Sequence, residues 1–193
     1  NCDPRQISEA KFLDAVSVSQ ILSMANEGSK VIHPRAIKAA LQTQTTIVVR
    51  NTFSNAPGTT IFHGTAAEDS LQVALAHRDE MSLLVFEAET DADKLVPEMI
   101  RVDEYRFVLK NDVYLGIRVK ELQNKYGALR KENGWATISV VFDKSAPESI
   151  SPLETEIIPS SKNVICYLLK EDYLTSSLRI LYGHYISDLS TQT

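Results

Sequence analysis

Long apolar runs are missing from this 193-residue chain: no stretch approaches the ~18 consecutive apolar residues that a membrane-spanning helix needs. A basic excess is missing too. Lys and Arg number 20 against 25 Asp and Glu, a formal charge of -5, and the cations are scattered rather than striped. That excludes a nucleic-acid partner gripped through a basic face, as the first absence excludes a membrane partner. Cysteine is scarce. Cys2 and Cys166 give neither a disulfide framework nor metal spacing, and a reducing, cytoplasmic setting is the expectation. His33, His63, His77 and His184 stand far apart without acidic or thiol partners at ligand spacing, so no metal site is expected. The opening Asn-Cys-Asp-Pro-Arg has neither an initiator Met nor the charged and apolar regions of a signal peptide. What remains is an ordinary globular composition, 44% apolar and 23% charged, in a chain long enough to bury a real core.

Residues 1–63 read as α/β. Ser17 and Ser19 are candidate N-caps of a helix carrying Ile21, Leu22 and Ala25, with Gly28 just past its end. Val31-Ile32 reads as a brief buried crossing. His33-Pro34 opens a second helix through Ile37, Ala40 and Leu41, with proline in the first turn. Residues 46–50 are a β-rich run, and Ser54-Asn55-Ala56-Pro57-Gly58 is a turn cluster. Helix, helix, strand, loop, strand suits the edge of a larger parallel sheet rather than a complete domain.

Residues 64–71 read as a linker, after which the pattern changes. A first α+β unit over 72–135 takes residues 82–87 as a strand and 91–101 as a helix. Residues 105–109 and 113–119 follow as strands joined by a tight turn at Lys110-Asn111-Asp112. Residues 120–133 form a helix ended by Gly134, and 135–142 a strand. The order is β-α-β-β-α-β, as in ferredoxin-like domains. A second unit over 136–193 repeats it weakly: a short helix within 146–156, extended chain at 156–159, a strand at 163–170 and a helix at 173–186. Because 136–142 cannot serve both units fully, one of them borrows a strand near 72–76.

The most informative segment is Gly28-Ser29-Lys30-Val31-Ile32-His33-Pro34-Arg35, which sets a lysine in the turn after a helix, where phosphate oxygens can be gripped. Together with Asp3-Pro4-Arg5, Val49-Arg50-Asn51-Thr52-Phe53 and Pro57-Gly58-Thr59-Thr60-Ile61, it resembles the aspartokinases of the amino acid kinase family. The resemblance is specific over 1–62 and mostly architectural downstream, where Ser160-Ser161-Lys162-Asn163-Val164-Ile165-Cys166-Tyr167 is the nearest match. It implies an α/β fragment of an amino acid kinase domain followed by two ferredoxin-like (βαββαβ) ACT domains. It implies phosphorylation of L-aspartate by ATP with Mg2+ to 4-phospho-L-aspartate, at the start of lysine, threonine and methionine synthesis. On the family pattern Arg5, Lys30 and Val31 are ATP ligands, the first two by charge and Val31 through its main chain. No catalytic residue is assigned in this chain, and His33, Arg35 and Arg50 read as structural or surface groups. The glycine-rich phosphate-gripping segment and the aspartate-binding residues of the family find no counterpart here, so the chain alone is expected to be inactive and to hold no cofactor firmly.

The ACT resemblance implies a small amino-acid effector, lysine or threonine, and self-association as a homodimer through the ACT sheets, whose open edges invite pairing. Asn111 and Asp112 are the candidate effector ligands, although turns favour Asn and Asp for backbone reasons alone. The loop Glu87-Ala88-Glu89-Thr90-Asp91 departs from effector-binding relatives in having no glycine and three acids. A competing reading makes the chain a non-catalytic amino-acid-binding or dimerising ACT module. A third makes it another amino acid kinase.

Overall fold

Ser17 starts the first helix: its Oγ accepts the N–H of Gln20 at 3.1 Å, and α1 (Val18–Asn26) follows strand β1 (Ala15–Ser17). The computed structural model describes residues 1–53, 55–64, 73–147 and 151–187. Gly28, at φ 105°, ends α1 as the sequence implies, with Ser29 N–H bonded to the Met24 carbonyl and Gly28 N–H to that of Ala25. His33 caps α2 (Pro34–Thr43) by accepting the Arg35 N–H on Nδ1, with Pro34 at the first helical position. Strands β2 (Ile47–Val49) and β3 (Thr59–Phe62) complete the N-terminal region.

These strands form a sheet in the order β1-β3-β2, with β1 parallel and β2 antiparallel to β3. The expected parallel edge is therefore mixed. Val31-Ile32 is a bend rather than a buried crossing, and Val31 is 60% exposed. Ser54, in the turn cluster, lies outside the described residues.

The rest of the described chain builds one six-stranded antiparallel sheet, ordered β5-β6-β4-β7-β9-β8. Two 14-residue strands, β4 (Val73–Phe86) and β7 (Leu129–Phe142), run its whole length as a central pair. On one side stand β6 (Arg106–Lys110) and β5 (Ile100–Arg101); on the other, β9 (Val164–Lys170) and β8 (Glu156–Ile158). Of residues 72–76 and 82–87, expected as separate strands, 73–76 and 82–86 belong to the one strand β4, Glu87 follows it, and residue 72, like 65–71 of the expected linker, lies outside the described residues. A bulge between Arg78 and Met81, with Glu80 at φ 53°, flips its facing and breaks the alternation that sequence reading depends on. Position 136, where the second unit was expected to begin, lies within β7.

Three further expectations fail for local reasons. The helix expected over 91–101 is only α3 (Ala92–Leu95), because Pro97 pushes Val96 to φ -123°, ψ 89°, and the chain continues into β5. Residues 113–119, expected as a strand after a hairpin turn, enter helix α4 (Leu115–Tyr126). Leu115, Val119, Leu122 and Tyr126 recur at helical spacing and pack on Phe86, Phe107 and Leu109, and this burial overrides the local β preference. Gly127 ends that helix at φ 85°, so residues 129–133 are strand and Gly134 lies within β7. No helix forms at 146–147 or 151–155; residues 148–150 lie outside the described residues. The expected C-terminal helix is α5 (Leu174–Tyr182), led by a short 3-10 turn and followed by a π turn.

Helix α5 buries Leu174, Leu178 and Leu181 on Leu75, Ile138 and Tyr167, while α4 covers Leu84 and Phe107. The opposite set of sheet residues, including Ala74, Val141 and Cys166, shares a core with Val18, Ile21 and Met24 of α1. A polar seam reinforces this junction. Arg78 Nη1 lies 3.2 Å from Glu27 Oε2, Ser139 Oγ donates to the same oxygen at 2.7 Å, and Asn163 Nδ2 donates to Ser23 Oγ at 3.1 Å. Ser17 Oγ donates to Asp143. Helix α1 is thus tied into both sheets.

Candidate functional site

The turn that ends α1 brings Lys30 to a cavity of about 510 Å3, which Arg5, Val31, Asp3, His77 and Asp79 also line. All three residues expected at a nucleotide site therefore meet in one place. Arg5 arrives on a short turn in which the Asp3 carbonyl accepts the N–H groups of Gln6 and Ile7, both at 3.0 Å. Its guanidinium folds back on Asp3, with Nη2 2.7 Å from Oδ2 and Nε 3.1 Å from Oδ1. The Arg5 hydrogen bond holds the Asp3 carboxyl below its usual range, against the opposing effect of burial. Arg5 also borders a third cavity, of about 680 Å3, beside Arg179 and Tyr182 of α5.

Gly28 sets how closely the lysine turn meets the sheet. A Cβ there would fall 2.7 Å from the His77 carbonyl oxygen and 2.7 Å from Arg78 Cγ. Only glycine fits, both for the positive φ and for this approach. Two residues on, Lys30 is exposed and forms no ion pair among the described residues.

A mostly apolar cavity of about 510 Å3 adjoins the first and shares Val31 and Met24 among other residues with it; Val16, Ile21, Val49 and Ile61 are part of its wall. Val31, exposed at its outer side, thus stands between a region with two cations and an apolar slot. A ligand with a charged, phosphate-bearing end and a flat apolar end matches that pair of environments.

Sequence reading missed the contribution of β4. His77 and Asp79 enter the cavity because β6 pairs only with residues 81–85; among the described residues the earlier half of that edge of β4 has no partner strand, and Leu75 N–H bonds the Asn1 carbonyl there. The signal lay in His77-Arg78-Asp79-Glu80, four consecutive polar residues interrupting a strand that is otherwise apolar but for Ser82. Burial pushes the His77 imidazole below its ordinary value, Lys30 and Arg5 add to this, and Asp79 and Asp3 oppose it. Burial works against ionisation of Asp79, but a backbone hydrogen bond, Lys110, Lys30 and His77 outweigh it and keep the carboxyl low. Burial raises the Cys2 thiol to about 11, so it is not a thiolate nucleophile at neutral pH.

Asn111 and Asp112 lie elsewhere, where β6 leads into α4. Asp112 Oδ1 accepts the Tyr114 N–H at 2.9 Å, and its carboxylate receives Arg118 Nη1 at 2.9 and 3.1 Å, so it anchors the start of α4. Asn111 N–H bonds the Glu80 carbonyl at 2.8 Å, and its side chain meets Ser82, which also lies 2.8 Å from Asn133 Oδ1. Among the described residues no three His, Cys, Asp or Glu converge as a metal site. No helix among the described residues is long and apolar enough to cross a membrane.

Residues 1–51 match the model of the amino acid kinase family. Aspartokinase 1 of Bacillus subtilis is 44% identical over 59 residues, 31% of this chain and 15% of that protein. Aspartokinase 2 of the same organism is 24% identical over 159 residues, 80% of this chain and 38% of that protein. Among solved structures, E. coli aspartokinase III in complex with aspartate and ADP superposes with a TM-score of 0.73 at 18% identity, covering 95% of this chain and 49% of that one. The aspartate kinase of Clostridium acetobutylicum gives 0.74 at 16% identity, with 94% and 51% covered. The chain spans about half the length of these solved relatives, and their fold is its fold.

Proposed function

Because the chain belongs with the aspartokinases, we propose that it is the regulatory part of an aspartate kinase together with the nucleotide-side end of the kinase domain. The whole enzyme, on this reading, transfers the γ-phosphoryl group of ATP to L-aspartate, giving the 4-phospho-L-aspartate that enters lysine, threonine and methionine synthesis. The observation that carries it is the convergence of Arg5 and Lys30 in one cavity that shares Val31 with an apolar slot. Phosphoryl transfer needs positioning and charge neutralisation more than covalent help from the protein. Lys30 supplies a mobile point charge to phosphate oxygens, Arg5 a planar fork once it turns from Asp3, and Val31 presents main chain beside the base. Magnesium, as the nucleotide's companion ion, is held by the phosphates in this account, and no step is assigned to protein ligands for it.

The chain alone is expected to bind ATP only weakly, not firmly, and without turning it over. Incubation with ATP, aspartate and hydroxylamine tests this: absence of the hydroxamate of aspartyl phosphate, with ATP binding in calorimetry, agrees with the reading. Hydroxamate formation overturns the inactivity, and absence of ATP binding overturns the nucleotide site. The six-stranded sheet is, in this proposal, two ACT units sharing β4 and β7, with Asn111 and Asp112 as effector ligands for lysine or threonine.

The non-catalytic dimerising reading has an observation of its own: Val113, Tyr114 and Ile117 at the start of α4 are 87%, 59% and 59% exposed, an apolar patch suited to a second copy. Light scattering distinguishes the cases, because a dimer that persists in V113S/I117S places the contact elsewhere. Titration with lysine, threonine and methionine decides whether the sheet senses an amino acid or only assembles.

A further inference from the structure

The cavity that holds Lys30 sets two carboxylates beside its two cations, and the strand that supplies its far wall carries a group able to add a third positive charge. Two cations line it, Arg5 and Lys30, against two carboxylates, Asp3 and Asp79. Both acids are held in their charged form. The two acids offset part of the attraction of the two cations, so a further proton bound in the cavity would strengthen its hold on a triphosphate. Of the remaining titratable groups, the Cys2 thiol stays neutral, and the Asn1 amino group already donates to the Lys11 carbonyl at 2.8 Å. Lys110 acts from β6, outside the cavity, with Nζ 3.6 Å from Asp79 Oδ1. His77 is the cavity residue whose type titrates between pH 5 and 8.

We propose that His77, on strand β4 of the six-stranded sheet, is part of the nucleotide site and takes up a proton when the triphosphate of ATP binds beside Lys30. The proposal rests on the nucleotide reading above. Empty, the half-buried imidazole is neutral at pH 7, held so by burial and by the neighbouring Lys30 and Arg5. A bound phosphate places several negative charges against it, reversing that balance, and the imidazolium becomes a third cation and a hydrogen-bond donor to a phosphate oxygen. The same step ties the site to the sheet. The His77 carbonyl abuts Gly28, and the next residue, Arg78, approaches Glu27 to 3.2 Å at the end of α1. Any displacement of β4 therefore moves His77 relative to Lys30, giving the sheet a direct route to ATP affinity.

The test is the imidazole titration of His77 followed by NMR in the chain, without and with saturating ATP. The signal is identified among the four histidines by its loss in His77→Gln. The expected result is an upward pKa shift of about one unit or more with ATP, an opposite charge at close range shifting a group by that order. By linkage, H77Q then weakens ATP binding several-fold at pH 6 and little at pH 8. The difference between the two proteins cancels the titration of ATP itself. If ATP binds and Lys30→Ala weakens it, yet the His77 titration does not move, β4 is not part of the site and the nucleotide reading survives alone. If ATP binds at no pH, both fall.

Discussion

The N-terminal region and the six-stranded sheet bury their side chains in different ways, and the contrast explains why one carries the motif and the other the stability. Strands β1 to β3 are three or four residues long, and Phe12, Val31, Leu41, Val48 and Phe53 are 46% to 99% exposed. The sheet has two 14-residue strands and a fully buried core that includes Leu84, Phe107, Leu122, Ile138 and Leu178. A cationic turn needs an accessible surface, whereas a long antiparallel pair needs none. The two regions meet at α1, whose apolar face and polar seam hold the exposed region to the stable one.

The largest expected effect lies in the sheet. Leu122→Ala or Leu178→Ala leaves a cavity in a closed core and is expected to cost about 2–5 kcal/mol in denaturant unfolding. A cost below about 1 kcal/mol removes the contrast. Next comes the seam. Arg78→Ala leaves the partly buried Glu27 carboxylate with Ser139 alone and is expected to cost about 1–3 kcal/mol. Hydrogen exchange should then quicken in α1 more than in β9. Uniform change across both regions contradicts the assignment of Arg78 to the junction.

Acidification acts through the cavity. The folded-state pKa of His77 lies below its unfolded value near ~6.5, so the unfolded chain binds more protons between the two. Stability falls as pH drops through that window, and His77→Gln flattens the dependence there. Asp3 and Asp79, also lowered, add a further loss at more acidic pH, below ~4, as their carboxyls protonate. A stability profile independent of pH from 7 to 5 contradicts the environment assigned to His77. The smallest effect is expected at Phe53, 99% exposed, where Phe53→Ser should change stability by no more than about 0.5 kcal/mol in thermal unfolding.

Local signals carried the N-terminal region. The Ser17 cap, Gly28 end and His33-Pro34 start are interactions within a few residues, and they were legible together with the cationic turn. The sheet was legible where a strand is an uninterrupted apolar, β-rich run, as in β9. It was misread where tertiary contacts decide: the bulge in β4, the helix that takes up Leu115 to Val119, and the strand stretch of β7 between Gly127 and Gly134. At the site, Arg5, Lys30 and Val31 came from a local motif. His77 and Asp79 did not, because His77 lies 47 positions after Lys30 and only the packing of α1 against β4 brings them together.

The central claim is that the turn after α1 grips a nucleotide phosphate, and ATP affinity measured side by side for the chain and for Lys30→Ala tests it most directly. A charge-assisted contact to phosphate contributes about 1.5–3 kcal/mol, so the variant should bind ATP about ten-fold or more weakly with its fold unchanged. Equal ATP affinity in the two proteins would contradict the claim.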